Sequence, residues 1–244
     1  MEDEKPVTRT KLFIAIPAYD YKVTLRQAIS LAAFAQEAVR QDITIQIGSI
    51  CGCSVVSRAR NLLVADFMES DCTHLMFIDA DINFEADAIL RVLQWAQHED
   101  RNIVAVPPRV RDPETRYIVN LKTNGDDTIN INGYGLVEVE CVATAFMMIQ
   151  RKVFEDLIAD NPEWTYWEPK TQRFIHAVFD FKVTPEGYIG EDFLFCDRAR
   201  AKGFHVWIDP AITLGHMGVQ EYIGNYGQDV IQPMIRTPEE AKEE

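Results

Sequence analysis

The chain has 244 residues, of which 47% are apolar and 25% are charged, and its formal net charge is −14. The length fits one large domain, and the composition is typical of a globular protein that buries a sizeable core. The strong negative charge, without a basic patch, excludes bulk binding to a nucleic-acid backbone. No apolar stretch approaches the ~20 residues of a membrane span, so we expect no transmembrane segment.

The five cysteines predict a reducing environment. Their number is odd and no secretory signal is visible at the N-terminus, which together favour a cytoplasmic protein. Cys51 and Cys53 are one residue apart and have no second cysteine pair nearby, a spacing that does not fit a zinc site. The acidic ends predict a flexible N-terminus at 1–10 and a C-terminal tail at 219–244.

The first 110 residues alternate between strand and helix patterns. Apolar, β-rich runs predict strands, and apolar positions spaced by three and four predict helices. The order βαβαβαβ implies a parallel sheet with helices on both faces, and ligands of such sheets bind beyond the carboxyl ends of the strands. In chain order the predicted elements are a strand at 11–17, a helix at 24–40, a strand at 43–48, a helix at 54–69, a strand at 75–78, a helix at 86–98 and a strand at 103–106.

The second half of the chain is less regular. A long strand, or a strand that runs into a short turn, is expected at 137–149. Helices are expected at 151–159 and 191–201, and a strand from 205 stops at an Asp-Pro pair. The segment 161–183 is rich in aromatic residues, which fit either a core segment or an exposed acceptor site or lid.

Asp79 and Asp81 directly follow the apolar run 75–78. Residues i and i+2 of a strand face the same side, so we expect both carboxylates to point the same way. Two like charges at the end of a buried strand are costly without a cation between them, and hard cations take oxygen ligands. The pattern predicts a metal that carries a diphosphate, with Asp81 as direct ligand and Asp79 on the metal, a ribose or the donor sugar. A turn cap and a solvated carboxylate are the alternative.

His216 lies directly after Gly215 and two residues before Gly218. Both glycines allow close approach of the backbone. It is far along the chain from the aspartates, as a ligand brought in by the fold would be. Imidazole combined with carboxylates suits Mn²⁺ better than Ca²⁺. We therefore predict His216 as a metal ligand, against the alternative of a structural histidine.

Two further groups of charged residues are candidates for chemistry. Glu191 and Asp192 open a helix, where the helix dipole alone favours carboxylates, but one of them could take the proton of an attacking hydroxyl. Arg58 and Arg60 lie early on the second helix, beside Asn61. Guanidinium groups pair with phosphate and with carboxylate, so these arginines fit a diphosphate site, a role in steadying the aspartates, or a solvated helix face.

These motifs occur in four ordered blocks, and together they resemble the metal-dependent glycosyltransferases of the GT-A fold. The arrangement is most similar to the family-two-type enzymes and to the fungal mannan-polymerase type. The resemblance implies a single α/β domain with a mixed, mainly parallel sheet flanked by helices. Residues 11–110 would bind the nucleotide sugar, and 111–218 would bind the acceptor and complete the metal site. The blocks are Phe13–Asp20, Ser57–Asn61, Phe77–Ile82, and Gly190–Asp192 with Gly215-His216.

The resemblance also implies roles for single residues. In that family the end of the first strand holds the nucleotide base, the arginine block lies near the nucleotide, and the Asp-x-Asp block holds Mn²⁺ and the donor. Mg²⁺ is the alternative metal. The predicted site residues are Asp192 and Glu191 for catalysis; Pro17, Ala18, Tyr19, Asp20, Arg58, Arg60, Asn61 and Asp79 for the nucleotide sugar; and Asp81, His216 and Asp79 for the metal.

The expected activity is transfer of a hexose from a UDP- or GDP-sugar to a hydroxyl of a glycan, lipid-linked or protein acceptor. No QxxRW-type processive signature is present, which argues against a polysaccharide synthase. One alternative is a non-catalytic nucleotide-sugar or glycan-binding protein of the same fold. The other is an aspartyl-nucleophile phosphatase, although that class normally carries Asp-x-Asp on its first strand, and here two predicted strands precede the motif.

Overall fold

The computed structural model describes residues 10–123 and 128–235 of the chain. Residues 1–9 of the predicted flexible N-terminus and 236–244 of the predicted tail lie outside the described residues. The strands are β1 (Lys11–Ala18), β2 (Thr44–Cys51), β3 (His74–Ile78), β4 (Ile82–Asn83), β5 (Ile103–Ala105), β6 (Val119–Leu121), β7 (Val137–Val142), β8 (Phe146–Gln150), β9 (Thr165–Glu168), β10 (Arg173–His176), β11 (Lys182–Thr184), β12 (Gly187–Ile189), β13 (Val206–Ile208), β14 (Thr213–Met217) and β15 (Glu221–Asn225). The helices are α1 (Leu25–Arg40), α2 (Val56–Glu69), α3 (Asp87–Ala96), α4 (Arg151–Asp160), α5 (Glu191–Ala201) and α6 (Gln232–Met234).

Eight strands form the central sheet, in the order β2-β1-β3-β8-β5-β13-β7-β6. β1 pairs in parallel with β2 and β3, and β5 pairs in parallel with β13. β8 and β7 pair antiparallel with their neighbours, so six strands of this sheet run one way and two run the other. The predicted class, a mixed and mainly parallel sheet flanked by helices in one α/β domain, is confirmed.

Side-chain alternation along β1 divides the core into two layers. Phe13 and Ala15 pack with Phe67 of α2 on one face of the sheet, in a cluster that also contains residues of α4 and α5. Leu12 and Ile14 point to the other face and pack with residues of α1 and α3. Because both faces of this strand are covered, its apolar run is continuous, as expected for a buried parallel strand.

The region 137–149 forms two strands, β7 and β8, separated by the buried residues 143–145. β8 inserts between β3 and β5, with which it pairs antiparallel. The alternation of strands and helices in the first 110 residues implied a parallel sheet, but β5 pairs in parallel only with β13 and pairs antiparallel with β8. The insertion joins segments far apart in sequence, so local patterns do not reveal it.

The part of the chain after 218 contains more ordered structure than a tail. β15 pairs antiparallel with β14, and β14 pairs on its other edge with β4, the two-residue strand that follows the Asp-x-Asp motif. A single π-helical turn, Gly227–Ile231, leads into α6. The described portion of the predicted tail therefore supports β14, the strand that carries His216.

The aromatic segment 161–183 divides between core and surface. Phe179 is buried and stacks on Phe195 of α5, with 4.6 Å between ring centroids. Trp167 and Phe174 face each other across the β9–β10 hairpin, and both are exposed. The two interpretations of this segment thus apply to different residues. Phe179 is part of the core, and the exposed pair Trp167 and Phe174 remains a candidate for ligand contact.

Replacing Phe154 with alanine tests the core beneath α4. The ring is fully buried between Phe67 and Phe195, so Phe154→Ala should lower the free energy of unfolding by about 3–5 kcal/mol. Phe174→Ala, the same change at an exposed ring, should cost less than about 1 kcal/mol. Urea denaturation of both variants measures the difference, and equal losses would contradict the burial assigned to Phe154.

Candidate functional site

A cavity of about 440 Å³ opens beyond the carboxyl ends of β1 and β3. This is the edge of the sheet at which ligands of open α/β folds bind. Its wall contains all six residues predicted there from the ends of the first and third strands: Pro17, Ala18, Tyr19, Asp20, Asp79 and Asp81. The other lining residues are Lys22, Val23, Thr24, Ile50, Cys53, Ser54, Val56, Ala59 and Ala80.

The start of α1 fixes one side of this cavity. Thr24 is the N-cap, and its side-chain oxygen accepts a hydrogen bond of 3.0 Å from the backbone N–H of Gln27. The buried side chain of Gln27 then donates to the carbonyl oxygen of Asp79 at 2.9 Å. The first turn of α1 is thereby tied to the Asp-x-Asp motif.

The two aspartates do not lie on a strand, which corrects the expectation that their side chains face the same way. β3 ends at Ile78, and the backbone N–H of Ile82 donates to the carbonyl of Asp79 at 3.0 Å, which closes a turn over Asp79–Ile82. The alternation of a strand stops where the strand stops. The two carboxylates accordingly have different partners.

Backbone pairing brings His216 beside Asp81. Ile82 of β4 is opposite His216 of β14, and the N–H of Met217 donates to the carbonyl of Asp81 at 2.8 Å. The imidazole Nε2 lies 3.5 Å from Oδ2 of Asp81. The predicted association of these two residues, 135 positions apart in the chain, is therefore present in the structure.

The hydrogen bonds of His216 orient its ring. Nδ1 lies 2.8 Å from the carbonyl oxygen of Arg109, which can only accept, so Nδ1 carries a proton and Nε2 is the ring nitrogen that faces Asp81. Burial opposes ionisation of Asp81, but the hydrogen bond and charge of His216, together with the charge of Arg111, outweigh it and lower the pKa of Asp81. A carbonyl that holds one ring nitrogen is a common support for a metal-binding histidine.

The Asp81–His216 pair fits a divalent cation. Two ligands that each lie about 2.1 Å from one ion are about 3.0–3.5 Å apart, and the 3.5 Å between Nε2 and Oδ2 is at the upper end of that range. The third predicted ligand, Asp79, is directed elsewhere. Within 10–123 and 128–235, no group of three or more His, Cys, Asp or Glu side chains is arranged to hold a metal. Further ligands would have to come from water or a bound substrate.

Asp79 pairs instead with Arg60, whose guanidinium lies between two predicted blocks of the site. Arg60 is 4% exposed, and its Nη1 lies 3.1 Å from Oδ1 of Asp79. Its Nε lies 3.4 Å from Oε1 of Glu191, and the same guanidinium lies over the ring of Phe77. Of the roles considered for this arginine, the structure favours the steadying of carboxylates.

Glu191 and Asp192 occupy the first turn of α5 but differ in their surroundings. Glu191 forms an ion pair with Arg60, whereas the carboxylate of Asp192 accepts a hydrogen bond of 2.8 Å from the N–H of Phe193. Burial, reinforced by the charge of Glu191, raises the pKa of Asp192 to about 6. A carboxyl group that titrates near neutrality is suited to proton transfer.

Arg58 and Asn61 are held by other parts of the protein. Arg58 donates from Nε to the buried carboxylate of Glu168 at 2.8 Å, and this arginine lowers the pKa of Glu168 to about 2. The side chain of Asn61 donates to the carbonyl of Phe179 and accepts from its N–H, both at 2.8 Å. Neither side chain is part of the described cavity wall. Their predicted role in nucleotide binding stays a prediction.

Two cations near the site were not anticipated. Lys22 lines the cavity, and Nη1 of Arg111 lies 2.8 Å from Oδ2 of Asp81. A signal for Arg111 was present in the sequence, because it follows the strand-ending pair Pro107-Pro108 at the same edge of the sheet as Asp79. Lys22 carries no comparable signal, since a lysine in a turn is usually a solvated residue.

Comparisons with known proteins support the fold. No protein-family model and no curated protein sequence matches the chain. Among solved structures, A197 from STIV is 20% identical with a TM-score of 0.51, over 86% of each chain. Residues 1–349 of TarS from S. aureus align with a TM-score of 0.44 in complex with UDP-GlcNAc and 0.43 without it, at 10% and 11% identity. The TarS alignments cover 82% of this chain and 56% and 58% of theirs.

At this identity the likeness to A197 shows a shared fold, and the TarS alignments are too weak to add to it. The helices in the described ranges include none that is long and apolar enough to cross a membrane.

Removing the guanidinium of Arg60 should destabilise the protein strongly. Arg60→Gln leaves Asp79 and Glu191 without their shared counter-charge, and loss of one partner of a buried ion pair costs about 3–5 kcal/mol. Arg26→Gln removes an arginine that is half exposed and pairs with Glu85 and, at 3.4 Å, with Glu221, and it should cost about 1 kcal/mol or less. Chemical denaturation compares the two variants. A loss at Arg60 no larger than that at Arg26 would show that the buried pair is not structurally important.

Proposed function

We propose that this protein is a metal-dependent glycosyltransferase that moves a hexose from a nucleoside-diphosphate sugar to a hydroxyl acceptor. The observation that carries the proposal is the pairing of β4 with β14, which sets Asp81 against His216. That pair adjoins the cavity at the carboxyl ends of β1 and β3. The family resemblance of the four sequence blocks suggests the reaction class, and the geometry is consistent with separate tasks for their residues.

The nucleotide part of the donor would bind at the end of β1. Pro17, Ala18, Tyr19 and Asp20 form this part of the cavity wall, and the exposed ring of Tyr19 offers a face for stacking. Asp20 offers a carboxylate that can accept hydrogen bonds from a base or ribose. UDP and GDP sugars remain the two donor classes considered.

The charge of the cavity wall explains why such a donor would need a metal. Among the described lining residues Asp20, Asp79 and Asp81 are acidic, and Lys22 is the only lysine or arginine. The nearby Arg60 and Arg111 are already paired with Asp79 and Asp81, so an additional cation would be needed to balance the charge of a diphosphate. Asp81 and His216 would hold Mn²⁺, with Mg²⁺ as the alternative, and the bound ion would act as a Lewis acid that stabilises the leaving diphosphate.

The acceptor hydroxyl would lose its proton to a carboxylate at the start of α5. In the reaction the acceptor oxygen forms a bond to the anomeric carbon, the bond from that carbon to the diphosphate breaks, and the proton passes to the base. We assign this role to Asp192, because Glu191 is paired with Arg60. Asp79 is held by Arg60 and would contact the donor sugar or ribose.

A panel of nucleotide sugars tests the donor site. UDP- and GDP-hexoses should raise the melting temperature when Mn²⁺ is present, because a ligand of the native state stabilises it. Donor hydrolysis or transfer should fall by at least about 100-fold in Asp81→Ala or in EDTA, since the charge stabilisation at the leaving group is lost. Full activity under either condition would refute metal dependence. Donor binding without turnover on any acceptor would favour the non-catalytic alternative.

The pH dependence tests the base. Asp192 must be ionised to accept a proton, and its pKa is raised to about 6. The value of kcat/KM should therefore rise about tenfold per pH unit below about 6 and level off above it. Asp192→Asn should abolish this limb and reduce the rate by about 10²–10⁴-fold. If Glu191→Gln removes the limb while Asp192→Asn retains it, Glu191 is the base instead.

A further inference from the structure

Arg111 forms an ion pair with the carboxylate oxygen of Asp81 that faces His216. Nη1 of Arg111 lies 2.8 Å from Oδ2 of Asp81 and 3.3 Å from the carbonyl oxygen of Met217. Oδ2 is also the atom that lies 3.5 Å from Nε2 of His216. The Arg111 side chain is 49% exposed, so its guanidinium can move into solvent without opening the core.

The loop that carries Arg111 contacts both candidate metal ligands. Residues 109–117 turn back on themselves through the bridge between Arg109 and Tyr117 and the hydrogen bond from the N–H of Val110 to the carbonyl of Arg116. The carbonyl of Arg109 holds Nδ1 of His216. One loop thus orients the imidazole and also places a cation on the facing carboxylate.

The residue directly after β14 is Gly218, and its lack of a side chain leaves room for Arg111. A Cβ at Gly218 would lie 3.2 Å from Cδ of Arg111, tighter than an ordinary van der Waals contact. A residue with a side chain at this position would press on the arginine stem. A side chain at Gly218, directly after β14, would therefore require the arginine stem to shift by a few tenths of an ångström.

The guanidinium of Arg111 and a divalent ion would compete for Oδ2 of Asp81. A cation bound between Oδ2 and Nε2 would carry two positive charges next to a third on Arg111, and like charges at such distances repel strongly outside bulk water. The Asp81 side chain is 36% exposed, and a partly buried carboxylate of this kind is still more stable with a counter-charge than without one. The Asp81 oxygen therefore favours one cation at a time.

We propose that Arg111 is the resident counter-ion of Asp81 and that a divalent metal must displace it to bind. This inference rests on the proposed function, because it takes Asp81 and His216 as the metal pair. It makes the loop 109–117 a determinant of metal affinity. The loop holds His216 in a binding orientation through Arg109 and weakens metal binding through Arg111.

Direct measurement of Mn²⁺ binding tests the inference without any assay of activity. Free Mn²⁺ is followed by its electron paramagnetic resonance signal while protein is added, in the absence of donor. Arg111→Gln should bind Mn²⁺ about two- to fivefold more tightly than the unmodified protein, the range expected when a partly exposed ion pair no longer competes. Arg111→Lys, which keeps the charge, should bind less tightly than Arg111→Gln.

Two matched variants separate this inference from the metal site itself. Arg40→Gln removes the same charge from an exposed side chain that pairs with Glu37 near the end of α1, and it should leave Mn²⁺ affinity unchanged. Asp81→Asn should abolish binding. Unchanged or weaker binding in Arg111→Gln overturns the role of Arg111, as does equal tightening in Arg40→Gln. Unchanged Mn²⁺ affinity in Asp81→Asn overturns the metal site and therefore the proposed function as well.

Discussion

The buried guanidinium of Arg60 is the interaction on which the rest of the site depends. Two carboxylates, Asp79 and Glu191, come within 3.4 Å of it from segments 112 residues apart. Without a cation between them, burial and mutual repulsion would drive one of these groups to take up a proton or the two segments to separate. Arg60 thereby fixes the end of β3 relative to the start of α5, the two elements that carry the candidate donor and acceptor chemistry.

This constraint also separates the roles of the two aspartates in the motif. Once Asp79 is paired with Arg60, Asp81 is the carboxylate of the motif that reaches the opposite strand, where His216 and Arg111 lie. The turn after Ile78 makes this divergence possible, because a continued strand would aim both side chains one way. A single metal bridged by both aspartates, the simplest picture from the spacing, gives way to two carboxylates with separate counter-charges.

Local periodicity in the sequence was sufficient for five of the six described helices, α1 to α5, and for the parallel strands β1, β2, β3, β5 and β13, but not for the short strands outside the central sheet. The bounds of α5 match the predicted helix at 191–201, and Asp79, Asp81 and the residues at the end of β1 were correctly predicted to lie at one edge of the sheet. Insertion of β8 beside β3 was not predictable, because it is a contact between distant segments. The same reason applies to Arg58 and Asn61, whose partners lie about 110 residues or more away.

The glycines around His216 were correctly predicted to allow close approach, but the sequence did not show which groups would approach them. They were expected to permit close approach of the backbone, and the structure identifies what approaches. A Cβ at Gly215 would overlap the carboxylate of Glu221, which accepts a hydrogen bond of 2.6 Å from the side chain of Asn83 in β4. Gly218 leaves room in the same way for the stem of Arg111.

Each glycine therefore makes space for a side chain that acts on the Asp-x-Asp region. Glu221 holds β4 against β14, and so fixes the register that places His216 opposite Ile82. Arg111 supplies the counter-charge of Asp81. The position of the imidazole and the charge it meets thus depend on side chains that pack against the middle of β14 and just after its end. A side chain at Gly215 would force Glu221 to move, and one at Gly218 would require a smaller shift of Arg111, in both cases without altering any proposed metal ligand.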